Sequence, residues 1–161
     1  MKNNKFPAKI LKVEPNTIDE FGVIYDWDIL VESTKGEIFW LFVPSIICDK
    51  EMEGQMSIIE FSVGQNADLM NLIKLKTKQK KIVPPKCLYD RNSPNYSAVF
   101  YGEIIGKKSE PDSNSILEVD VGSGIILVIV RKKEYDNFLV GEYIMIEGNL
   151  VHLEEIDGMR T

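Results

Sequence analysis

The stretch GIILVIVRKKEYDNFLVGEYIMIEG (124–148) decides how the rest of the chain is read. Six consecutive apolar residues, Ile125 to Val130, stop at the basic triplet Arg131-Lys132-Lys133. A strand with one face in water alternates apolar and polar residues, whereas a run without alternation belongs to a strand covered on both faces. The triplet marks the exit of that strand. KKEYDNF is then a candidate for a short helix, which Gly141 can end before the chain enters YIMIEGNL.

A second copy of the pattern lies 87 positions upstream. EIFWLFVPSIICDKEMEGQMSIIEFSV (37–63) aligns without a gap on GIILVIVRKKEYDNFLVGEYIMIEGNL (124–150), placing Asp49 on Asp136, Gly54 on Gly141 and Glu60 on Glu147. AKILKV (8–13) matches GEIIGK (102–107), and ILVES (29–33) matches LEVDV (117–121). Each unit reads as strand, loop, strand, tight turn, strand, short helix, strand and a last strand. The turns are Lys35-Gly36 and Gly122-Ser123-Gly124, where glycine permits the positive backbone angles of a hairpin.

Five short strands with a helix between the third and fourth resemble the OB-fold, a five-stranded Greek-key barrel. VGEYIMIEGNL (140–150) resembles the glycine-bounded lead-in to the fourth strand of many OB-folds, and the first unit departs from it with Phe61 where the second has Gly148. The expected fold is therefore all-β: two tandem five-stranded OB-like Greek-key barrels, each with a short helix between strands 3 and 4. The expected domains are 1–76 for the first barrel, 77–95 for a basic, proline-containing linker, and 96–161 for the second barrel. A single sandwich or another small barrel also suits ten short strands.

The chain carries 44% apolar and 27% charged residues, the composition of a folded protein, and a net charge of −6. Residues 1–73 and 92–161 are each acidic, with six Lys or Arg against twelve Asp or Glu. Between them, 74–91 holds seven cations and one carboxylate. Overall acidity opposes general phosphate binding and leaves a local basic site open. No run approaches the ~18 apolar residues of a membrane helix, and the start of the chain lacks a signal peptide pattern. The expectation is a cytoplasmic protein without membrane contact. Cys48 and Cys87 have no partner at metal-ligand spacing, so both are expected to be reduced and structural.

The OB-fold resemblance implies a ligand face on the second and third strands and nearby loops, commonly for single-stranded nucleic acid. Strand alternation turns Glu118 and Asp120 outward in one unit, and Asp28, Leu30 and Glu32 outward in the other. Carboxylates there repel a phosphate chain. The third strands need an outer cover, which the other barrel, a second copy or a protein partner could supply. Trp40, Phe42, Phe39, Ile126 and Val128 are therefore the candidate interface or base-stacking residues.

Cations for phosphate come from Lys74, Lys76, Lys78, Lys80, Lys81 and Lys86, the first four of which alternate along one strand face, and from Arg131, Lys132 and Lys133. The same lysines could equally guard an edge strand or solvate the linker before Pro84-Pro85, and the triplet could simply end its strand. Catalytic patterns are missing: the sequence has no phosphate-cradling loop, no nucleophile elbow and no dinucleotide fingerprint, and His152 is the sole histidine. Asp26 and Asp28 could share a divalent ion only with further ligands. The expected function is a non-catalytic binding module with no cofactor and no metal. Its ligand is single-stranded nucleic acid, or alternatively a protein partner or a second copy through the apolar third strands.

Overall fold

The structure, a computed structural model, describes residues 5–64, 71–109, 115–147 and 151–161. The first segment is rich in β-branched and aromatic residues, and glycines at its turns let the chain reverse. β1 (Phe6–Ile18), β2 (Ile24–Ser33) and β3 (Ile38–Val43) form an antiparallel meander. Gly36, with φ 81°, makes the β2–β3 turn that Lys35-Gly36 announces. The next connection makes one 3-10 turn, Lys50–Met52, in which the Asp49 carboxylate accepts from the Glu51 amide at 2.9 Å. β4 (Met56–Val63) then returns beside β1, so the spatial order β4-β1-β2-β3 is a Greek key.

Past this unit come β5 (Asn71–Lys74), β6 (Lys81–Val83) and the two-residue pair β7 (Tyr89–Asp90) and β8 (Ser93–Pro94). The row Lys74 to Lys80 is therefore not one strand, because β5 ends at Lys74 and the chain bends before β6. β9 (Val99–Ser109), β10 (Ser115–Asp120), β11 (Ile125–Val130), the helix α1 (Lys132–Asn137) and β12 (Tyr143–Glu147) follow. Their spatial order β12-β9-β10-β11 is again a Greek key, flanked by β5 on β12 and by the end of β4 on β11. Gly148 and Leu150 of the lead-in pattern lie outside the described residues.

The last strands, β13 (Val151–Ile156) and β14 (Met159–Arg160), form a hairpin. In sequence β13 belongs to the range 96–161, yet its long ladder is with β4, Val151 opposite Val63 and Ile156 opposite Ile59. It also meets β3 in parallel, His152 opposite Phe42. These pairings close β1-β2-β3-β13-β4 into a five-stranded, OB-like barrel.

One core runs through both Greek keys. Phe6, Phe39 and Phe61 of the barrel lie with ring centroids 5.0 to 5.9 Å apart, and Phe100 of β9 packs on Phe39 and Phe61 at 5.9 and 6.0 Å. Edge and tilted packing of this kind adds to the burial of each ring. The inward rows are those alternation specifies: Ile29 and Val31 on β2, Leu117 and Val119 on β10, all fully buried.

Candidate functional site

The outer face of the barrel is covered from within the chain, by the segment between β6 and β9. Trp40 points outward on β3 and is 0% exposed, because its indole N–H donates to the Leu88 carbonyl at 2.8 Å and the Tyr89 ring packs edge-on at 5.6 Å. Leu30, on the same face, is 4% exposed. Phe42 packs on His152, ring centroids 5.2 Å apart. Phe39, Ile126 and Val128 face the interior and are fully buried. Strand alternation thus turns three of the five expected stacking and interface residues inward, and the segment expected to be a basic, proline-containing linker covers Trp40.

The same cover closes over a carboxylate. Asp28 is 3% exposed and accepts from the Tyr96 hydroxyl in a very short contact, and from Asn16 Nδ2 at 3.2 Å. Burial pushes its carboxyl above the usual aspartate range, and Asp26 and Glu14 push the same way against the two hydrogen bonds. The folded chain therefore favours the neutral form more than the unfolded chain does, so at neutral pH the charge at Asp28 costs stability, and the cost fades as pH falls through the raised pKa towards 3.8. Asp28→Asn keeps an oxygen acceptor and removes the charge. It should be more stable than the wild type at neutral pH, with the advantage shrinking as pH falls. Urea unfolding of both proteins at the two pH values measures it, and an advantage that grows at low pH refutes the assignment.

The basic residues separate into spent and free. Lys74 pairs with Glu142 at 3.2 Å and lies over the Phe138 ring. Lys80 bridges Glu103 at 3.3 Å and Asp120 at 2.9 Å, and these hydrogen bonds raise its pKa. Arg131 binds Glu134 at 2.6 Å, and Lys132 binds Asp136 at 3.1 Å. Lys107 and Lys132 share the Tyr135 ring of helix α1 at 4.2 and 5.1 Å. Lys76, Lys78, Lys86 and Lys133 are exposed, and Lys81 lies over Tyr101. Asp26 accepts from the Thr17 amide at 2.8 Å, while Asp28 is bound by Tyr96 and Asn16.

A cleft lies where the barrel meets the second Greek key. Its volume is about 630 Å³, within the range of small-molecule sites. Lys5, Lys108 and Arg160 bring three cations to it, and Glu60, Glu155 and Asp157 bring three carboxylates. An adjoining hollow of about 240 Å³ shares Glu60 and Arg160 and is floored by Ile116, Leu127 and Ile129, the outward face of β10 and β11. Among the described residues, no segment covers that face as the β6–β9 segment covers Trp40.

The cleft wall is fixed by the β13–β14 hairpin. Asp157 and Gly158 have φ of 47° and 87°, the two left-handed residues of an Asp-Gly hairpin turn. The Asp157 carboxylate accepts from the Ile58 amide at 2.9 Å, and its own amide donates to the Ile58 carbonyl at 2.8 Å. Ser62 donates to Glu154 at 2.5 Å. Burial raises the Glu60 pKa, the Glu155 charge adds to this, and Arg160 and Lys108 oppose it. Glu60 is thus a half-buried carboxyl that holds a proton more readily than an ordinary glutamate.

Sequence reading missed this site because Lys5, Glu60, Lys108 and Arg160 share no local motif; long-range pairing gathers them, β1 on β4 bringing Lys5 to Glu60 and the return of β13 and β14 to β4 adding Arg160. Among the described residues, no group of three or more His, Cys, Asp or Glu is placed to hold a metal ion. Cys48 is buried and its thiol is pushed up to about 12, while Cys87 is exposed. No helix among the described residues is long and apolar enough to cross a membrane.

No protein-family model and no curated protein matches the chain. Among solved structures it is similar to the cytoplasmic molybdate-binding protein ModG in a molybdate-bound crystal form. The TM-score is 0.45 and the identity 10%, over 92% of this chain and 94% of that one.

Proposed function

We propose that the chain is a non-catalytic binding protein that takes a small organic anion in the cleft between its barrel and its second Greek key, which we read as a second OB-like barrel. The observation that carries this is the convergence of Lys5, Lys108 and Arg160 beside an apolar floor of Ile116, Leu127 and Ile129. The cations suit a carboxylate or phosphate group, and the floor suits an apolar body. Glu60 and Ser62 supply polar contacts that fix orientation. A nucleic acid strand has less to hold it, since Trp40 is covered and Lys74, Lys80, Arg131 and Lys132 are each paired with carboxylates.

Thermal-shift and calorimetric titrations test the reading with phenyl phosphate, inorganic phosphate, molybdate and an oligo-dT strand at low salt. Phenyl phosphate should raise the melting temperature. Lys108→Ala with Arg160→Ala should abolish that rise, while Lys76→Glu with Lys78→Glu should leave it. If oligo-dT alone binds, and the lysine pair at 76 and 78 controls it, the nucleic-acid reading replaces this one. No response to any probe rejects both.

A further inference from the structure

The β1–β2 hairpin reaches beyond the barrel. β1 pairs with β4 only from Phe6 to Lys9 and β2 pairs with β3 only from Trp27 onward, so past Pro15 and Trp27 the two strands run on alone as a short two-stranded arm ending at Ile18 opposite Ile24. Such ribbons are marginal on their own, and this one is held by its own side chains. Asp19 accepts from the Phe21 and Val23 amides at 2.9 Å each and from the Tyr25 hydroxyl at 2.9 Å, and its pKa is lowered by these bonds, that of Val23 foremost. The Asp26 carboxylate binds the Thr17 amide at 2.8 Å. At the base, Asn16 and Glu14 are tied to Tyr96 and Tyr89.

The braced tip displays apolar side chains to solvent. Phe21 is 83% exposed, with Ile18, Val23 and Tyr25 around it, each about half exposed. From Glu14 to Thr34 the chain has six carboxylates and no Lys or Arg. The arm is therefore a rigid apolar tip with an acidic stem, and rigidity lowers the entropic cost of docking an aromatic.

The complementary surface lies past the other end of β2, which is ten residues long, roughly 33 Å at ~3.3 Å per residue. There the β2–β3 turn contacts β6 and the β10–β11 turn, Glu37 accepting from the Ile82 amide and the Ser123 hydroxyl. Lys80 continues from Asp120 to Glu103, and Tyr143 and Glu142 lead to Lys74 and Leu139. Leu139 and Val140 are 61% and 59% exposed, beside the Lys74–Glu142 pair, and the exposed Lys76 and Lys78 follow Lys74 in the chain. The patch is thus apolar with a basic fringe, the inverse of the arm, and the separation bars the two from meeting within one chain.

We propose that the arm of one copy docks on the lysine-fringed patch of a second copy, head to tail. A heterologous contact of this sort builds a ring if its rotation closes and a filament if it does not. Phe21 is the anchor, and the charge pairs set orientation and rate.

Sedimentation velocity of the full chain over a concentration series, at low and high salt, reads the assembly. Self-association that weakens with salt is expected. Phe21→Ser should weaken it about tenfold or more with an unchanged melting temperature, since the ring touches solvent rather than core. Lys76→Glu with Lys78→Glu should weaken it too, and mixing that variant with one carrying Glu20→Lys should restore association between the two. A chain that stays monomeric at every concentration overturns the proposal, as does an assembly indifferent to Phe21→Ser. An arm that binds only some other protein overturns it as well.

Discussion

A chain ended at Glu147 should not fold its barrel. It lacks β13, whose Val151, Leu153 and Ile156 are fully buried in the common core and whose ladder joins β4 to β3. Burying each such side chain is worth ~1.5–3 kcal/mol, and the whole stability of a domain this size is about 5–15 kcal/mol. Losing three at once, with the edges of β3 and β4 left unpaired, removes most of that margin. Far-UV circular dichroism and urea unfolding should show no cooperative transition for 1–147. A synthetic peptide of 148–161 added back should restore one, because the missing element is a strand and not a separate domain. A truncated chain that unfolds at the wild-type urea midpoint would refute the shared core. By the same reasoning the full chain should unfold in one step, since Phe100 of the second Greek key is packed between Phe39 and Phe61 of the barrel.

The strand types were legible because they rest on local periodicity. Leu117 and Val119 face inward where alternation places them, and Gly36 and Gly122 take the positive φ that hairpin turns demand. The apolar run at 38–43 correctly demanded cover on both faces, but the source of the cover was hidden. For Trp40 it is a carbonyl at Leu88 and a ring at Tyr89, forty-eight residues away in sequence for the hydrogen bond, in a stretch whose prolines and lysines resemble an open linker. Barrel closure was hidden for the same reason. Which strand fills the gap between β3 and β4 depends on a long-range pairing, and VHLEEI carries an alternation that would serve in either unit. The cleft then follows from long-range pairing: Lys5 reaches Glu60 because β1 pairs with β4, Arg160 joins because β13–β14 returns to β4, and charges so scattered leave no spacing to read.

Replacing Trp40 with alanine should cost about 3–5 kcal/mol, the second largest loss expected in the chain. The ring is buried on the outside of the barrel, so the damage takes a particular form: the core within β1–β4 keeps Phe39 and Leu41, while the cover over the outer face loses its anchor. Amides in 87–98 should therefore lose hydrogen-exchange protection before those of β1 to β4. Trp40→Phe separates the two contributions. It keeps most of the apolar contact with Tyr89 but leaves the Leu88 carbonyl without its donor, a cost of ~1–3 kcal/mol where the oxygen stays buried. Because Asp28 and Tyr96 lie under the same cover, loosening it readmits water to the carboxylate, so Trp40→Ala should also bring the Asp28 pKa back towards 3.8 and flatten the pH dependence that Asp28 contributes. A Trp40→Ala protein with wild-type stability would mean that the ring faces solvent and is free to stack on a ligand, and the covered-face account would fall with it.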